Sequence, residues 1–125
     1  MQSINEITLS GRVASLPEFS YTQSQKEKCI FSLAVDRDWC AEDGAHKESV
    51  DYFKIVGFDK YARLIRDHLV KGTPVVIKGK IQINSFDDLT GKKHFIYEIV
   101  TKNISVVIFK KGKIGVEFHL QELNI

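Results

Sequence analysis

Tyr52, Lys54, Val56 and Phe58 alternate with Phe53, Ile55 and Gly57, and on an extended strand that spacing sends the four first-named side chains to one face. Two flat rings and an ammonium on a solvent-facing surface suit one kind of chemistry. The rings can stack on unpaired bases while the lysine meets a neighbouring phosphate. A second surface of this type lies downstream, where Lys78, Lys80, Gln82, Asn84 and Phe86 share the face opposite Val75, Ile77, Gly79, Ile81 and Ile83. Burying Phe86 would draw the two lysines inward at a desolvation cost that a small core does not tolerate, so its ring belongs outside. Strand aromatics ordinarily pack into cores, and strand lysines are ordinarily just solvated. It is their sharing a face that points to adhesion to a charged polymer. Trp39 has the parity of Phe31, Leu33 and Val35, so it reaches the surface only where that strand ends or bends near Arg37.

Other chemistries find little support. His46, His68, His94 and His119 lack metal-ligand spacing, and Cys29 and Cys40 form no Cys-x-x-Cys pair, so no metal site is expected and the thiols read as reduced. The pairs Asp36/Asp38 and Asp87/Asp88 flank turns, where carboxylates serve as solvated or capping groups. No nucleophile, base and orienting acid can be assembled, so the chain reads as a non-enzyme without a cofactor. The net charge is only +2 with 27% charged residues, which means that affinity for an anion must come from where the lysines are placed. The start of the chain has no basic-then-apolar leader and no run is long enough to cross a bilayer, so a cytoplasmic location without membrane contact is expected.

The elements that position these side chains follow from periodicity. At 125 residues and 43% hydrophobic content the chain suits one domain with a real core. Ile7, Leu9 and Val13 mark a first strand, Phe31 to Val35 a second, and Tyr52 to Phe58 a third. Asp59 stands where a helix N-cap belongs, and Tyr61, Leu64, Ile65, His68 and Leu69 then recur at helical spacing until Gly72 and Pro74. Val75 to Phe86 forms a fourth strand and Phe95 to Phe109 a fifth, bent near Thr101-Lys102-Asn103. The predicted class is all-β with one short helix between strands 3 and 4, the order of a five-stranded OB-fold Greek-key barrel. The barrel domain is expected over residues 1–109, followed by a short basic and apolar extension over 110–125 in which Val116, Phe118 and Leu120 alternate like an extra strand.

Separated motifs in this order resemble the bacterial single-stranded DNA-binding protein family over roughly Asn5 to Val107. They are Asn5-Glu6-Ile7-Thr8-Leu9-Ser10-Gly11-Arg12-Val13, Pro17 to Thr22, Phe31 to Trp39, Asp51-Tyr52-Phe53-Lys54-Ile55-Val56-Gly57-Phe58, Tyr61 to Gly72, Val76 to Phe86 and Gly91 to Val100. The resemblance implies base stacking on Trp39, Tyr52, Phe58 and Phe86. It implies phosphate contacts from Arg12, Lys54, Lys60, Lys71 and Lys80, with Lys78 and Lys92 as further candidates. It also implies single-stranded DNA as partner, protection of unwound strands in replication, recombination and repair at the nucleoid, replication or repair proteins as further partners, and assembly as a homotetramer. The long Gly- and Pro-rich tail with an acidic tip, common in the family, does not occur in the sequence, so recruitment of partners through such a tip is not expected. A primosomal, conjugative or phage relative acting through replication-protein or RNA contacts is one alternative. An OB module that clamps a sugar or a partner protein is another.

Overall fold

The computed structural model describes residues 1–108 and 116–119, the side chains of Trp39, Ile108 and 116–119 excepted. Its elements run β1 (Ile7–Val13), β2 (Glu18–Tyr21), β3 (Glu27–Cys40), β4 (His46–Phe58), α1 (Lys60–His68), β5 (Pro74–Asp87), β6 (Lys93–Ile108) and β7 (Val116–His119). The sheet order is β1-β5-β6-β4-β3-β2, and an additional β1–β3 pairing joins β1 back to β3. The five strands β1, β3, β4, β5 and β6 thus close into a barrel with the helix between its third and fourth members, the OB-fold topology. Two short strands are appended. β2, in a segment that the sequence does not mark as a strand, pairs with the start of β3, and β7 pairs with β6 from Ser105 to Ile108. Leu120 and the rest of the expected extension lie outside the described residues.

The interior collects one side of each long strand. Phe31, Leu33, Ile55, Ile77, Ile99 and Ile104 are buried together, and Ala62, Ile65 and Leu69 join them from the helix and its C-cap. Burial of such branched side chains is the main favourable term in holding the barrel. On β6 the inward parity changes from odd to even between Ile99 and Ile104. The reason is a bulge: Lys78 pairs with Asn103 and Gly79 with Thr101, leaving Lys102 without an opposite number. The bend lies within Thr101-Lys102-Asn103, where the sequence places it.

Two expectations need correction. Asp59 does not cap the helix with its carboxylate. It adopts φ 52° and makes no side-chain cap hydrogen bond, and its Oδ2 instead faces the Lys26 ammonium at 3.8 Å. The inward face of β5 is also shorter than its alternation suggests. Val75 and Ile77 are buried, yet Ile81 and Ile83 are exposed. The cause is the length of the barrel, because β1 pairs with β5 only as far as Gly79, and from Ile81 onward β5 runs with β6 alone as a projecting two-stranded ribbon.

Candidate nucleic-acid interface

Register sets which side chains share the outer face of the sheet. Opposite residues in an antiparallel ladder point the same way, so the pairs Ser32↔Lys54, Ala34↔Tyr52 and Asp36↔Val50 lie on one side of β3 and β4. The pairs Phe86↔His94, Asn84↔Ile96, Gln82↔Glu98 and Lys80↔Val100 lie on one side of β5 and β6. The parallel β4–β6 step Ile55↔Ile99 and Val56↔Val100 joins the two sets. Tyr52, Lys54, Lys80, Asn84, Phe86, His94 and Glu98 therefore occupy one continuous curved surface, with the core behind Lys54 and Glu98 and the exposed reverse of the ribbon behind Asn84, Phe86 and His94.

On that surface Tyr52 is 67% and Phe86 50% exposed. The Phe86 ring lies nearly parallel to the His94 imidazole, with centroids 5.1 Å apart and planes at 19°. His94 Nε2 is 2.7 Å from Asp88 Oδ2. The same Asp88 carboxylate accepts from the Thr90 hydroxyl at 2.6 Å and from the backbone amides of Thr90 and Lys92 at 2.9 Å each. Led by the Thr90 hydroxyl and then His94, these donors hold its pKa down at about 2. The turn that carries Phe86 is thereby fastened to the ring beneath it.

Phe58 shares the face of Tyr52 at the far end of β4, but it is half-buried and the Lys26 ammonium sits 4.7 Å from its ring centroid. Val56, between them in parity, is wholly buried, so the four-residue stripe read from sequence is exposed only at its Tyr52 end. The Trp39 side chain lies outside the described residues; its backbone pairs with Lys47 in the projecting β3–β4 arm. Phe53 and Ile55, on the reverse of β4, serve the interior: Ile55 is fully buried and Phe53 packs against the core.

The cations separate into groups. Lys80 shares the face of Phe86, and Lys78 stands exposed at the bulge. Arg12 donates from Nη1 to the Gly72 carbonyl at 3.1 Å, which brings it to the exposed turn that holds Lys71. Lys60 opens the helix with its ammonium 5.1 Å from the Tyr61 ring centroid. Lys54 differs from all of these, because its Nζ is 3.3 Å from Oε2 of Glu98, a carboxylate only 3% exposed. Asn84 Nδ2 donates to the other Glu98 oxygen at 2.8 Å.

His94, Lys26 and Glu98 do not stand out in the sequence as parts of a site. His94 could be found by pairing it across the turn with Phe86. Lys26 and Glu98 carry no local signal, since their partners come from other strands. The same holds for Asp38, His46 and Glu48, exposed donors on the β3–β4 arm whose ligand atoms come within 4.8 Å of one another. They converge across the hairpin where linear spacing shows nothing, His46 Nε2 lying 3.9 Å from Asp38 Oδ1 and 3.6 Å from Glu48 Oε1.

Comparison with known proteins gives the family and the fold. The model of the single-strand binding protein family matches residues 4–107. The chain is 33% identical over 100 residues to the single-stranded DNA-binding protein of Thermotoga maritima, covering 80% of this chain and 71% of the relative. It is 30% identical over 109 residues to that of Caldanaerobacter subterraneus subsp. tengcongensis, covering 87% and 71%. With the Fusobacterium nucleatum protein it shares 29% identity over 101 residues, spanning 81% of this chain and 65% of that relative's length. Among solved structures, a Plasmodium falciparum SSB complex with ssDNA superposes with a TM-score of 0.74 at 25% identity, covering 95% of this chain and 96% of that one. The small single-stranded DNA-binding protein from Streptomyces coelicolor shares the fold, with a TM-score of 0.64 at 23% identity over 83% of this chain and 94% of that one.

Proposed function

The chain belongs to the single-strand binding protein family, and from that premise we propose that it binds single-stranded DNA with little sequence preference, without bond chemistry and without a cofactor. The observation that carries the reading is the exposure of Tyr52 and Phe86 on one continuous face of the sheet. Large rings that share an exposed face with lysines suit a ligand that covers the rings and is anionic beside them. Each stacked base contributes about 1–3 kcal/mol and any base offers a flat face, so such rings give affinity without reading sequence. Tyr52 and Phe86 are the principal platforms, with Phe58 and Trp39 completing the set. Arg12, Lys60, Lys71 and Lys80 meet phosphates, and Lys54 does so only as far as Glu98 releases it.

The biological role that fits is shelter of unwound strands in replication, recombination and repair, in the cytoplasm at the nucleoid, with replication or repair proteins as further partners. We assign the homotetramer to the reverse of the β5–β6 ribbon. Ile81, Ile83, Phe95 and Tyr97 are exposed there, and a hollow lined by Ile7, Phe53, Lys54, Ile81, Tyr97, Glu98 and Ile99 opens beside them. That side is opposite Phe86, so subunits can pack while the rings stay free.

The test is a titration with oligo-dT, followed by Trp39 fluorescence at several salt concentrations. Binding that weakens steeply with salt supports the reading. Absence of binding at low salt overturns it in favour of a protein- or sugar-binding OB module.

A further inference from the structure

We propose that Glu98 is a positioning residue that restrains Lys54, so that the middle of the binding face is held electrically neutral and DNA affinity is set below what the lysines alone would give. The inference rests on the functional reading above and adds a residue opposite in sign to the ligand. Lys54 and Glu98 each come one residue before the Ile55↔Ile99 pair of β4 and β6, on the face that carries Tyr52 and Phe86. Glu98 is almost fully buried in that surface, whereas Lys54 keeps 36% of its side chain exposed.

The two carboxylate oxygens are treated differently. Oε1 accepts from Asn84 Nδ2 at 2.8 Å. Oε2 is buried and has no hydrogen-bond partner among the described residues; its one compensation is the Lys54 ammonium at 3.3 Å. A buried carboxylate without a cation is strongly disfavoured, so the ammonium is held to the sheet. A phosphate that recruits Lys54 must draw it from Glu98 and leave that charge uncompensated. The buried anion also repels the incoming backbone directly, since charges near low-dielectric surface interact more strongly than in water. Lys54 is therefore a latent contact, and the freely available positive charge lies with Lys80, Lys78 and the turn that bears Lys71.

Glu98→Gln keeps the shape and the Asn84 hydrogen bond while removing the charge that holds Lys54. The expected result for a folded variant is oligo-dT affinity raised roughly three- to tenfold at fixed salt, as one further charge-assisted contact provides, with the salt dependence steeper by about 0.7 in log–log slope. In the native protein Lys54→Gln should change the slope little, and in the Glu98→Gln background it should cancel the gain. An unchanged or lower affinity and slope for folded Glu98→Gln overturns the proposal. Mass-spectrometric acetylation footprinting of the native chain decides the matter even where that variant does not fold. Before DNA is added, Lys54 should label more slowly than Lys80, which is likewise half-buried on the same face but has no carboxylate partner among the described residues, and equal rates refute the restraint. Failure of the native chain to bind oligo-dT would overturn the functional reading instead, while the footprint still reports on the ion pair.

Discussion

At the scale of single residues, exposure separates rings that a strand can spare from rings that the fold needs. Tyr52 and Phe86 stand in solvent, so Tyr52→Ala and Phe86→Ala should each weaken oligo-dT binding by about 1–3 kcal/mol and leave the thermal midpoint of unfolding almost unchanged. A drop in melting temperature of many degrees would mark them as structural. The lysines divide in the same way. Lys80→Ala should flatten the salt dependence by about 0.7 with stability preserved. Lys54→Ala removes the partner of a buried carboxylate oxygen, so it should cost about 1–3 kcal/mol of folding stability, read by urea titration, and move the salt slope far less. From sequence the two lysines look equivalent, since both alternate with apolar residues on strands. Glu98, which comes from a third strand, makes them different.

At the scale of elements, the projecting β5–β6 ribbon depends on its turn and on its bulge. In the turn, Asp88 gathers Thr90, Lys92 and His94. Because its folded-state pKa is depressed from 3.8 to about 2, ionised Asp88 supports the turn fully above the ordinary value, and that support is lost as pH falls through about 2. The amide resonances of Thr90 and Lys92 should titrate together with a midpoint near 2, and Asp88→Asn should abolish that transition. At the bulge, a Cβ on Gly79 would meet the Val100 carbonyl oxygen at 2.1 Å. Gly79→Val therefore cannot be accommodated without separating β5 from β6, and it should lower stability by more than about 2 kcal/mol in denaturant unfolding. The bend near Thr101 to Asn103 is legible in the sequence because the apolar parity of β6 changes there. The turn chemistry is less so, since four donors must meet one carboxylate and spacing alone does not say which aspartate of Asp87-Asp88 receives them.

At the scale of the whole molecule, the barrel presents two faces with opposite demands. One carries Tyr52, Phe86 and the lysines, and the other leaves Ile83 56% and Tyr97 65% exposed. Light scattering of the native chain should give four times the 14.3 kDa protomer mass if the second face is the subunit contact. Ile83→Asp, which places a charge in that contact, should shift the mass toward smaller species while retaining the fold by circular dichroism. A native chain that remains a monomer at micromolar concentration would remove the assembly from the proposal.

The sequence alone determined the order of the five barrel strands and the helix, the inward sides of β1, β3 and β4, the bend in β6 and the solvent side of Phe86, because each is written in a local period that burial on one side imposes. Other features came only with tertiary structure: the ribbon that leaves Ile81 and Ile83 outside the barrel, the rotation of Asp59 away from the helix, the imidazole under Phe86 and the anion beside Lys54. All of them arise where strands distant in sequence meet or fail to meet. Periodicity tells a side chain which way to face, and only the closed sheet decides what it faces.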